Sequence, residues 1–333
     1  MNQQECKKLE EKISKKLTEY IKKNDVVIAG ISGGPDSVFL LKMLVLSNSK
    51  ILVAHVNHML RGKQSDGDEK FVKDLAKEYN TIFSSKKSDI KKLSKKHKTG
   101  LEETGRKIRY EFFNDLAKKH KAKFIITAHH ADDNLETVIM NFIRGSGIKG
   151  LSGMKELGLV SGSKNIHLLR PLLTVPKNKI ADYLKSKKIQ YRIDKSNSDK
   201  KFKRNFIREE IIPQLKKLNP NITESISKNI ENIKEVSEFM INSARKWIKK
   251  NVLNKHFTEF NAKSFRKQSS AIQKQILIEI HKILTGTAKN LEKIHIEEVL
   301  KIINNVKVGN KKKQLGKLVV SIKSGIIKIL SIK

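Results

Sequence analysis

The sequence predicts an α/β protein: a doubly wound parallel sheet followed by a second, mainly helical domain. Short apolar runs such as Val26–Ile31 are bounded by turn residues and are typical of strands buried on both faces. These runs alternate with helical segments at the spacing of strand–helix–strand units. After Pro176 strand signals become scarce, which predicts the helical second domain.

The elements of the first domain follow in order along the chain. Leu9, Ile13, Leu17 and Ile21 recur every four residues and predict an amphipathic helix, which Asn24-Asp25 ends. The next expected elements are a strand over 26–31, a helix over 37–46, a strand over 51–56, a helix over 66–79, a strand over 81–84, a helix over 101–120, a strand over 124–128, a helix over 132–143 and a fifth strand over 167–169.

The second domain is expected to begin at the Asn219-Pro220-Asn221 break, so that the domains span residues 1–218 and 219–333. Helices are predicted over 176–187, 206–218 and most of 223–304. Apolar and polar residues alternate over 315–332 around Ser324-Gly325, which predicts a terminal β-hairpin.

The chain is strongly basic, with 70 Lys and Arg against 34 Asp and Glu and a formal net charge of +36. One interpretation is a polyanionic partner such as nucleic acid; the other is a genome that favours lysine codons. Only ten of the 70 basic residues are Arg, which favours the codon interpretation. Each Arg is therefore informative, because a planar guanidinium binds carboxylates and phosphates through two hydrogen bonds.

Several classes of protein are excluded by composition. The single Cys6 excludes internal disulfides, cysteine-based zinc sites, iron–sulfur clusters and a cysteine pair for sulfur transfer. No apolar run approaches the roughly 18 residues that span a bilayer. The N-terminal segment contains acids and no apolar core, so it resembles neither a signal nor a transit peptide. A soluble, cytoplasmic protein is expected, without a membrane partner.

A glycine-rich loop separates the first strand from its helix. Small residues there let backbone N–H groups approach a phosphate, and the helix N-terminus adds a positive dipole. No Gly-Lys-Ser/Thr follows, so the loop is not a Walker A motif. A tight strand-to-helix turn is the alternative, although Asp36 is placed to hold a metal or orient phosphate. The loop residues are Ser32, Gly33, Gly34, Pro35, Asp36 and Ser37.

Asp133 and Glu136 are spaced i, i+3, so both carboxylates project from one face at the start of a helix. They suit a cationic substrate, and the alternative is acidic residues that favour the helix dipole. His129 and His130 precede this helix. A metal site there lacks a third ligand, so contact with a nucleotide or simple burial is favoured.

Other polar groups follow the second strand and lie on two helices. His55, Asn57 and His58 are expected either to border the nucleotide crevice or to form a turn. The arginine pairs are Arg106 with Arg109 and Arg204 with Arg208. The first pair faces the site or bonds nearby glutamates. The second, flanked by Lys201 and Lys203, is expected to contact phosphate.

The loop Ser32–Ser37 resembles the signature of the PP-loop ATP pyrophosphatases. Further blocks, in order and spacing, resemble the tRNA(Ile)-lysidine synthetase family, densely from Val26 to Leu218. These blocks are 55–61, 103–110, 127–137, 144–147, 170–173, 194–197, 204–208 and 212–213.

The resemblance implies a Rossmann-like PP-loop domain that uses ATP and Mg²⁺. It implies that Asp36, Arg109 and Asp133 are catalytic, that Asp36 also holds Mg²⁺, and that Asp133 and Glu136 bind free L-lysine. The implied ATP-binding residues are Ser32, Gly33, Gly34, Pro35, Asp36, Ser37, His55, Asn57 and His129. The implied tRNA-binding residues are Arg61, Arg106, Arg204 and Arg208.

The implied reaction is ATP-dependent ligation of lysine to carbon 2 of the wobble cytidine in the CAU anticodon of isoleucine tRNA. An adenylated tRNA is the intermediate, and the product, lysidine, switches decoding from AUG to AUA. The C-terminal domain is expected to dock tRNA, and the alternative is that it forms a homodimer interface.

Three other functions are weighed against this one. A tRNA thiolase needs cysteine pairs or a bound cluster, which a single Cys6 does not supply. A non-enzymatic RNA-binding protein would not need the intact loop with Asp36. An amidotransferase-type synthetase accounts for the loop but not for the other blocks.

Overall fold

A computed structural model of the chain describes residues 1–47, 49–160, 162–163, 165–193, 203–252, 258–287, 291–305 and 311–331. These residues form two units, Met1–Ile230 and Glu231–Lys333. The sequence block 194–197 and Lys201 lie outside the described residues. None of the helices in the described ranges combines the length and apolarity needed to cross a bilayer.

The first unit contains a six-stranded sheet with helices on both faces. Its strands are β1 (Val26–Gly30), β2 (Lys50–Asn57), β3 (Ile82–Lys87), β4 (Phe124–Thr127), β5 (Leu157–Leu159) and β6 (His167–Leu169). Its helices are α1 (Gln3–Tyr20), α2 (Pro35–Leu46), α3 (Lys63–Glu78), α4 (Ile90–His97), α5 (Leu101–Lys119), α6 (Ala131–Ile143), α7 (Ile148–Leu151), α8 (Lys177–Ser186), α9 (Lys203–Phe206) and α10 (Ile212–Leu218), the last two joined by a π-helical turn over Ile207–Ile211.

The strand order is β3-β2-β1-β4-β6-β5. All neighbours pair in parallel except β5, which runs antiparallel to β6 at the edge. The predicted doubly wound sheet is therefore confirmed, with β5 as an addition. The chain reverses its direction of winding between β1 and β4, and ligands of such sheets bind at that point, beyond the carboxyl ends of the strands.

Apolar side chains fill both faces of this sheet. Ile13 and Leu17 of α1 are fully buried with Phe39 of α2 on one face, as the four-residue spacing predicts. On the other face, α5 packs through Phe112 and Phe113. Burial of each large side chain contributes about 1.5–3 kcal/mol. A Cβ on Gly30 would lie 2.7 Å from the Phe113 ring, so glycine lets α5 approach the end of β1.

The second unit is mainly helical, as predicted, and also contains a four-stranded antiparallel sheet of order β7-β10-β9-β8. Its strands are β7 (Thr258–Asn261), β8 (Lys311–Leu315), β9 (Leu318–Lys323) and β10 (Ile326–Ser331). Its helices are α12 (Ala262–Arg266), α13 (Ser270–Thr285), α14 (Lys293–Asn304) and the C-terminal part of α11 (Ile222–Asn251).

The predicted terminal hairpin is confirmed as β9–β10. Ser324 and Gly325 both have positive φ, 48° and 76°, which is the backbone of a type I′ turn. Strand β8 escapes sequence detection because Lys311, Lys312 and Lys313 hide its alternation. Trp247, Phe260 and Phe265 pack edge-on or stacked at the centre of this unit's core.

The two units divide between Ile230 and Glu231, inside α11, rather than at the expected 218/219 boundary. The first turns of α11 pack back onto the first unit. Ile222 and Ile226 contact the cluster formed by Leu135, Ile207 and Ile212. Because of this packing the first unit extends beyond the Asn219-Pro220 break. Local turn signals do not indicate such a tertiary contact.

Candidate active site

One cavity of about 570 Å³ lies at the carboxyl ends of β1, β2 and β4. Its walls come from the loop after β1, from the end of β2 and from the start of α6. Arg109, Lys177, Arg192 and Arg208 also line it. The cavity therefore coincides with the winding reversal, where the topology predicts a ligand.

The glycine-rich loop is held in shape by one hydroxyl. Ser37 Oγ accepts hydrogen bonds from the backbone N–H groups of Ser32 and Gly33, at 3.2 and 3.1 Å, and donates to the Gly34 carbonyl at 2.9 Å. The two N–H groups thus converge on a single oxygen. A phosphate oxygen binds in the same way to converging backbone N–H groups.

Helix α2 begins directly after this convergence. Gly34 is the N-cap residue and Pro35 occupies the first turn, where its missing N–H costs nothing. Gly33 has φ +91°, a backbone conformation that favours glycine, and a Cβ there would lie in tight contact with Val72 at 3.2 Å. The N-terminal dipole of α2 therefore points into the cavity wall that carries the loop.

Asp36 lies on the first turn of α2 and lines the cavity. Its Oδ1 is buried and has no hydrogen-bond partner among the described residues, while Oδ2 lies 3.5 Å from His130 Nε2. An orphaned carboxylate oxygen fits a hard cation such as Mg²⁺, which binds one or two carboxylates and completes its shell with phosphate oxygens and water. Among the described residues, no group of three or more His, Cys, Asp or Glu side chains is arranged to hold a metal by itself.

His130 joins the loop to the carboxylate pair. It caps α6 through a weak bond from the Asp133 N–H to Nδ1, 3.4 Å, which leaves the ring proton on Nε2. Nε2 lies 3.5 Å from carboxylate oxygens of both Asp36 and Asp133. Burial acts to lower the pKa of His130, but the bond to Asp36 and the charge of Asp133 raise it overall. His130 thus couples the two acidic groups of the cavity.

Asp133 and Glu136 do lie on one face of α6, and Arg204 and Arg208 lie against them. The Nε atoms of the two arginines each donate to one oxygen of Glu136 at 2.6 Å. Their Nη2 atoms reach Asp133 Oδ1 at 3.4 and 3.3 Å. We call these four residues the paired cluster. Its two carboxylates and two guanidiniums balance in charge.

Within the paired cluster the two carboxylates differ in access. Glu136 is 1 % exposed and does not line the cavity, whereas Asp133 lines it together with Arg208. Burial acts to raise the pKa of Asp133, but His130 and Arg204 hold it below its usual value. Asp133 is therefore an ionised group open to a ligand, and Glu136 fixes the arginines behind it.

Asp132, next to this cluster, holds neighbouring elements together. Its Oδ2 accepts from the Lys177 N–H at the start of α8, 2.8 Å away. Its Oδ1 accepts from Lys216 and from the Thr223 hydroxyl. The N-cap residue of α6 is His130 rather than Asp132.

The polar residues at the end of β2 divide between the cavity and its frame. The Ile31 carbonyl accepts from His55 Nδ1 at 2.9 Å, so Nε2 carries the lone pair, and burial lowers the pKa of this ring. Asn57 donates to Asp66 and Glu69 and accepts from the Met59 N–H, which uses its amide group to shape the following loop.

Arg61 and Arg109 line the cavity with different partners. Arg61 pairs with Asp68 at 2.7 Å. Arg109 forms no ion pair with a carboxylate in the described ranges and donates to His58 Nε2 at 3.3 Å. Burial and the Arg109 charge lower the pKa of His58 to about 4, so the ring is neutral and accepts this bond.

His129 lies at the end of β4 beside the Thr127 hydroxyl, 2.9 Å from Nδ1. Burial lowers its pKa to about 3, so it is a neutral ring in the cavity wall. Arg106 does not line the cavity, and its guanidinium lies over the Tyr110 ring at 4.9 Å from the centroid.

Some cavity residues were missed in the sequence. Arg192 was not assigned, although its N–H donates to the Gly33 carbonyl at 2.9 Å and its guanidinium covers the Phe71 ring. His58 and His130 were expected to border the nucleotide crevice or to have a structural role, but neither was assigned to a binding site. No local sequence pattern marks Arg192 as a cavity residue, because only the folded chain brings residue 192 to residue 33.

Comparison with known proteins agrees with this geometry. The model of the PP-loop domain family matches residues 5–215. A tRNA(Ile)-lysidine synthase from Clostridium tetani is 35 % identical over 288 residues, which cover 85 % of this chain and 60 % of that protein. The enzyme of the same name from Geobacter sulfurreducens is 41 % identical over 210 residues, or 62 % of this chain and 44 % of that protein. This chain thus spans about three fifths or less of these curated relatives.

Among solved structures, a U34-tRNA thiolase, NcsA, from Methanococcus maripaludis with its [4Fe-4S] cluster has a similar fold. Its TM-score is 0.56 at 24 % sequence identity, covering 69 % of this chain and 79 % of that chain. The likeness concerns the fold alone. Cys6 of the present chain is buried under α8 beside the Ser186 hydroxyl.

Proposed function

The chain belongs to the PP-loop domain family, and from that premise we propose that it is an ATP-dependent tRNA(Ile)-lysidine synthase. The observation that carries the proposal is the content of one cavity: a phosphate-binding loop with Asp36 on one wall and the ionised Asp133 on the other, bridged by His130. Curated relatives of this name at 31–41 % identity support it.

ATP would bind with its phosphates at the loop. The backbone N–H groups of Ser32 and Gly33 and the N-terminus of α2 would hold phosphate oxygens there. His55 and His129, both neutral, would contact the nucleoside from the cavity wall. Asn57 would act on ATP indirectly, through the loop that it shapes. Asp36 would hold Mg²⁺, which neutralises charge on the phosphates when bound.

The reaction has two steps. The carbonyl oxygen of the wobble cytidine attacks the α-phosphorus of ATP, and the bond to the β-phosphate breaks and releases pyrophosphate. The lysine ε-ammonium first gives a proton to water, and the neutral amine attacks carbon 2 of the adenylated base. The bond from carbon 2 to the adenylate oxygen breaks, AMP leaves, and the new C–N nitrogen gives its excess proton to water to yield lysidine. Arg109, which has no carboxylate partner among the described residues, would stabilise the negative charge on the α-phosphate.

Lysine would bind at the paired cluster. Asp133 is the member that is both ionised and open to the cavity, so it would contact the cationic substrate. Glu136 would act from behind, through the arginines that it holds. The predicted tRNA contacts of Arg204 and Arg208 would then be made by groups already bonded to carboxylates, and they stay a prediction.

The tRNA partner would be the isoleucine tRNA with a CAU anticodon, and such a substrate would place the protein in the cytoplasm. A base in a single-stranded loop reaches an enclosed cavity at lower cost than one in a duplex. Arg61 and Arg106 are proposed tRNA contacts on the first unit. The second unit is proposed to dock tRNA, with a homodimer interface as the alternative.

The decisive experiment mixes the purified protein with ATP, Mg²⁺, labelled lysine and isoleucine tRNA bearing CAU. We expect label in the tRNA and one pyrophosphate released per lysine. Asp36→Asn should abolish both, because it removes the carboxylate charge beside the loop. Folded wild type that transfers no label contradicts the proposal, and full activity of Asp36→Asn removes Asp36 from the site.

A further inference from the structure

Among the described residues, three arginines near the cavity lack the carboxylate partners that Arg61, Arg204 and Arg208 have. Arg106 and Arg109 lie one turn apart on α5, and Arg170 follows β6. None of the three forms an ion pair with an Asp or Glu among the residues that the structure describes. Arg61, Arg204 and Arg208, in contrast, each hold one at 2.7 Å or less.

Tyr110 gathers two of these guanidiniums. Arg106 lies over its ring at 4.9 Å. Burial lowers the pKa of Arg170, and the nearby Tyr110 acts to raise it. Arg170 Nη1 donates to the Lys155 carbonyl at 2.8 Å, which fixes the guanidinium against the chain. Arg170 Nε is buried and has no hydrogen-bond partner in the described ranges. We call Arg106, Tyr110 and Arg170 the open cluster.

The two guanidiniums of the open cluster repel each other, and the charge of Arg106 also acts on Arg109. Arg106 acts on both Arg109 and Arg170 and, together with burial, lowers the pKa of each. Like charges at close range destabilise a fold unless an anion joins them. Two guanidiniums beside one tyrosine offer several hydrogen-bond donors, which suits a phosphate group.

The position of the open cluster separates it from the ATP phosphates. Arg109 lines the cavity, but Arg106, Tyr110 and Arg170 do not. They lie beside it, on the same helix as Arg109 and at the end of the strand next to β4. When an RNA nucleotide enters the cavity, the neighbouring phosphates of the same strand remain outside it, where the open cluster also lies.

We propose that the open cluster binds a backbone phosphate of the RNA strand beside the nucleotide to be modified. Arg106 and Arg170 hold the phosphate, and Tyr110 spaces them. This inference rests on the proposed function for the identity of the strand. It assigns Arg170 and Tyr110 a binding role and gives Arg106 a defined ligand, where the sequence predicted only tRNA contact.

The test measures the affinity of the full chain for a fluorescent anticodon stem-loop RNA with the CAU anticodon over a range of salt concentrations. Arg106→Gln and Arg170→Gln are each compared with Lys118→Gln, which removes one exposed charge from the other end of α5. We expect each arginine variant to weaken binding roughly tenfold or more and to lower the salt slope by about one. Lys118→Gln should change affinity less than about twofold, since an exposed charge away from its partner is screened.

A second arm separates RNA phosphate from free phosphates. The affinities for ATP and for inorganic pyrophosphate should stay unchanged in both arginine variants. For a stem-loop with a different loop sequence, each arginine variant should bind more weakly than wild type by the same factor, because a phosphate contact carries no sequence information. Loss of pyrophosphate affinity with RNA binding intact would overturn the proposal in favour of the nucleotide phosphates.

Other results also decide the matter. Unchanged RNA binding, or a loss no larger than that of Lys118→Gln, overturns the inference while lysine transfer by wild type still upholds the proposed function. If RNA binding depends on the open cluster but wild type transfers no lysine, the inference is upheld and the proposed function is overturned. Wild type that binds no RNA overturns both. If Arg170→Gln does not fold, Arg106→Gln, on an exposed side chain, decides alone.

Discussion

The paired cluster and the open cluster contain the same side chain in opposite surroundings. Arg204 and Arg208 share two carboxylates, one of them 1 % exposed, and their charges cancel within the protein. Arg106 and Arg170 face a tyrosine and each other, and their charges remain for a ligand. Guanidinium groups therefore have two kinds of surroundings here: one pair is neutralised by carboxylates at the proposed lysine-binding position, and the other is proposed to bind an RNA phosphate.

The largest effect on stability is expected from neutralising the buried carboxylate of Glu136. We expect Glu136→Gln to lower the free energy of unfolding by about 3 kcal/mol, because it leaves two guanidiniums facing an uncharged amide. Urea denaturation at pH 7 measures the loss. The matched control is Glu111→Gln, whose exposed pair with Lys107 at 3.9 Å should be worth no more than about 0.5 kcal/mol.

Removing a charge from the open cluster should leave the stability of the fold almost unchanged. Arg106→Gln removes a charge that has no carboxylate partner among the described residues, so its free energy of unfolding should stay within about 0.5 kcal/mol of wild type. A loss comparable to that of Glu136→Gln would mean that the open cluster is also part of the framework.

The second effect in size concerns substrate binding at Asp133. We expect Asp133→Asn to raise the KM for lysine by roughly tenfold to a hundredfold and to change the KM for ATP far less, since one charge-assisted contact is lost. Steady-state kinetics with each substrate varied in turn measures both. Equal changes in the two constants would contradict the lysine assignment, and a folding defect like that of Glu136→Gln would assign Asp133 to the framework.

A smaller effect is expected on the pH dependence of stability. Burial and Arg109 lower the pKa of His58 to about 4, against 6.5 in the unfolded chain. Between these values the unfolded chain binds the extra proton, so stability falls as the pH drops from 6.5 towards 4.

His58→Gln should remove about 1–2 kcal/mol of this loss, after discounting for the part of the ring that solvent reaches. Urea midpoints at pH 7, 5.5 and 4 measure it. The lowered pKa values of His55 and His129 act in the same direction and the raised pKa of His130 acts against them, so the difference between the two proteins is the quantity to compare. Parallel pH curves would show that the pKa of His58 is the same in the folded and unfolded chains.

The smallest effect concerns Gly105, which lies inside α5 next to His58. A Cβ there would lie 3.5 Å from His58 Cε1, an ordinary contact. We therefore expect Gly105→Ala to raise the free energy of unfolding by about 0.5–1 kcal/mol, the usual gain at a helix interior. A destabilised variant would indicate that the bond between His58 and Arg109 needs the space that glycine leaves.

Much of the fold was predictable because it depends on local signals. The apolar run Val26–Ile31, the loop after it and the i, i+3 acids of α6 each specify their structure within a few residues, and all lie where they were expected. Strand β5 and helix α4 lack such signals. Leu157–Leu159 is too short to show a period, and half of the residues of Ile90–His97 are lysine, with a single fully buried side chain.

The partners of the charged residues were not predictable in the same way. Arg204 lies 68 positions from Glu136, and nothing in its own neighbourhood distinguishes a carboxylate partner from a phosphate. The π-helical turn over Ile207–Ile211, which carries Arg208, also has no periodic signature. For His129 and His130 the sequence offers two equivalent rings, and only the cap geometry of α6 shows which one faces Asp36.

The hydroxyl of Ser37 has a consequence for the energetics of nucleotide binding. Because Ser37 Oγ already draws the Ser32 and Gly33 N–H groups together, the loop is ordered by its own side chain during folding. Fixing one backbone residue costs about 1–2 kcal/mol of conformational entropy. At the proposed ATP site, a loop that is already ordered loses little of this entropy when a nucleotide binds, which favours affinity.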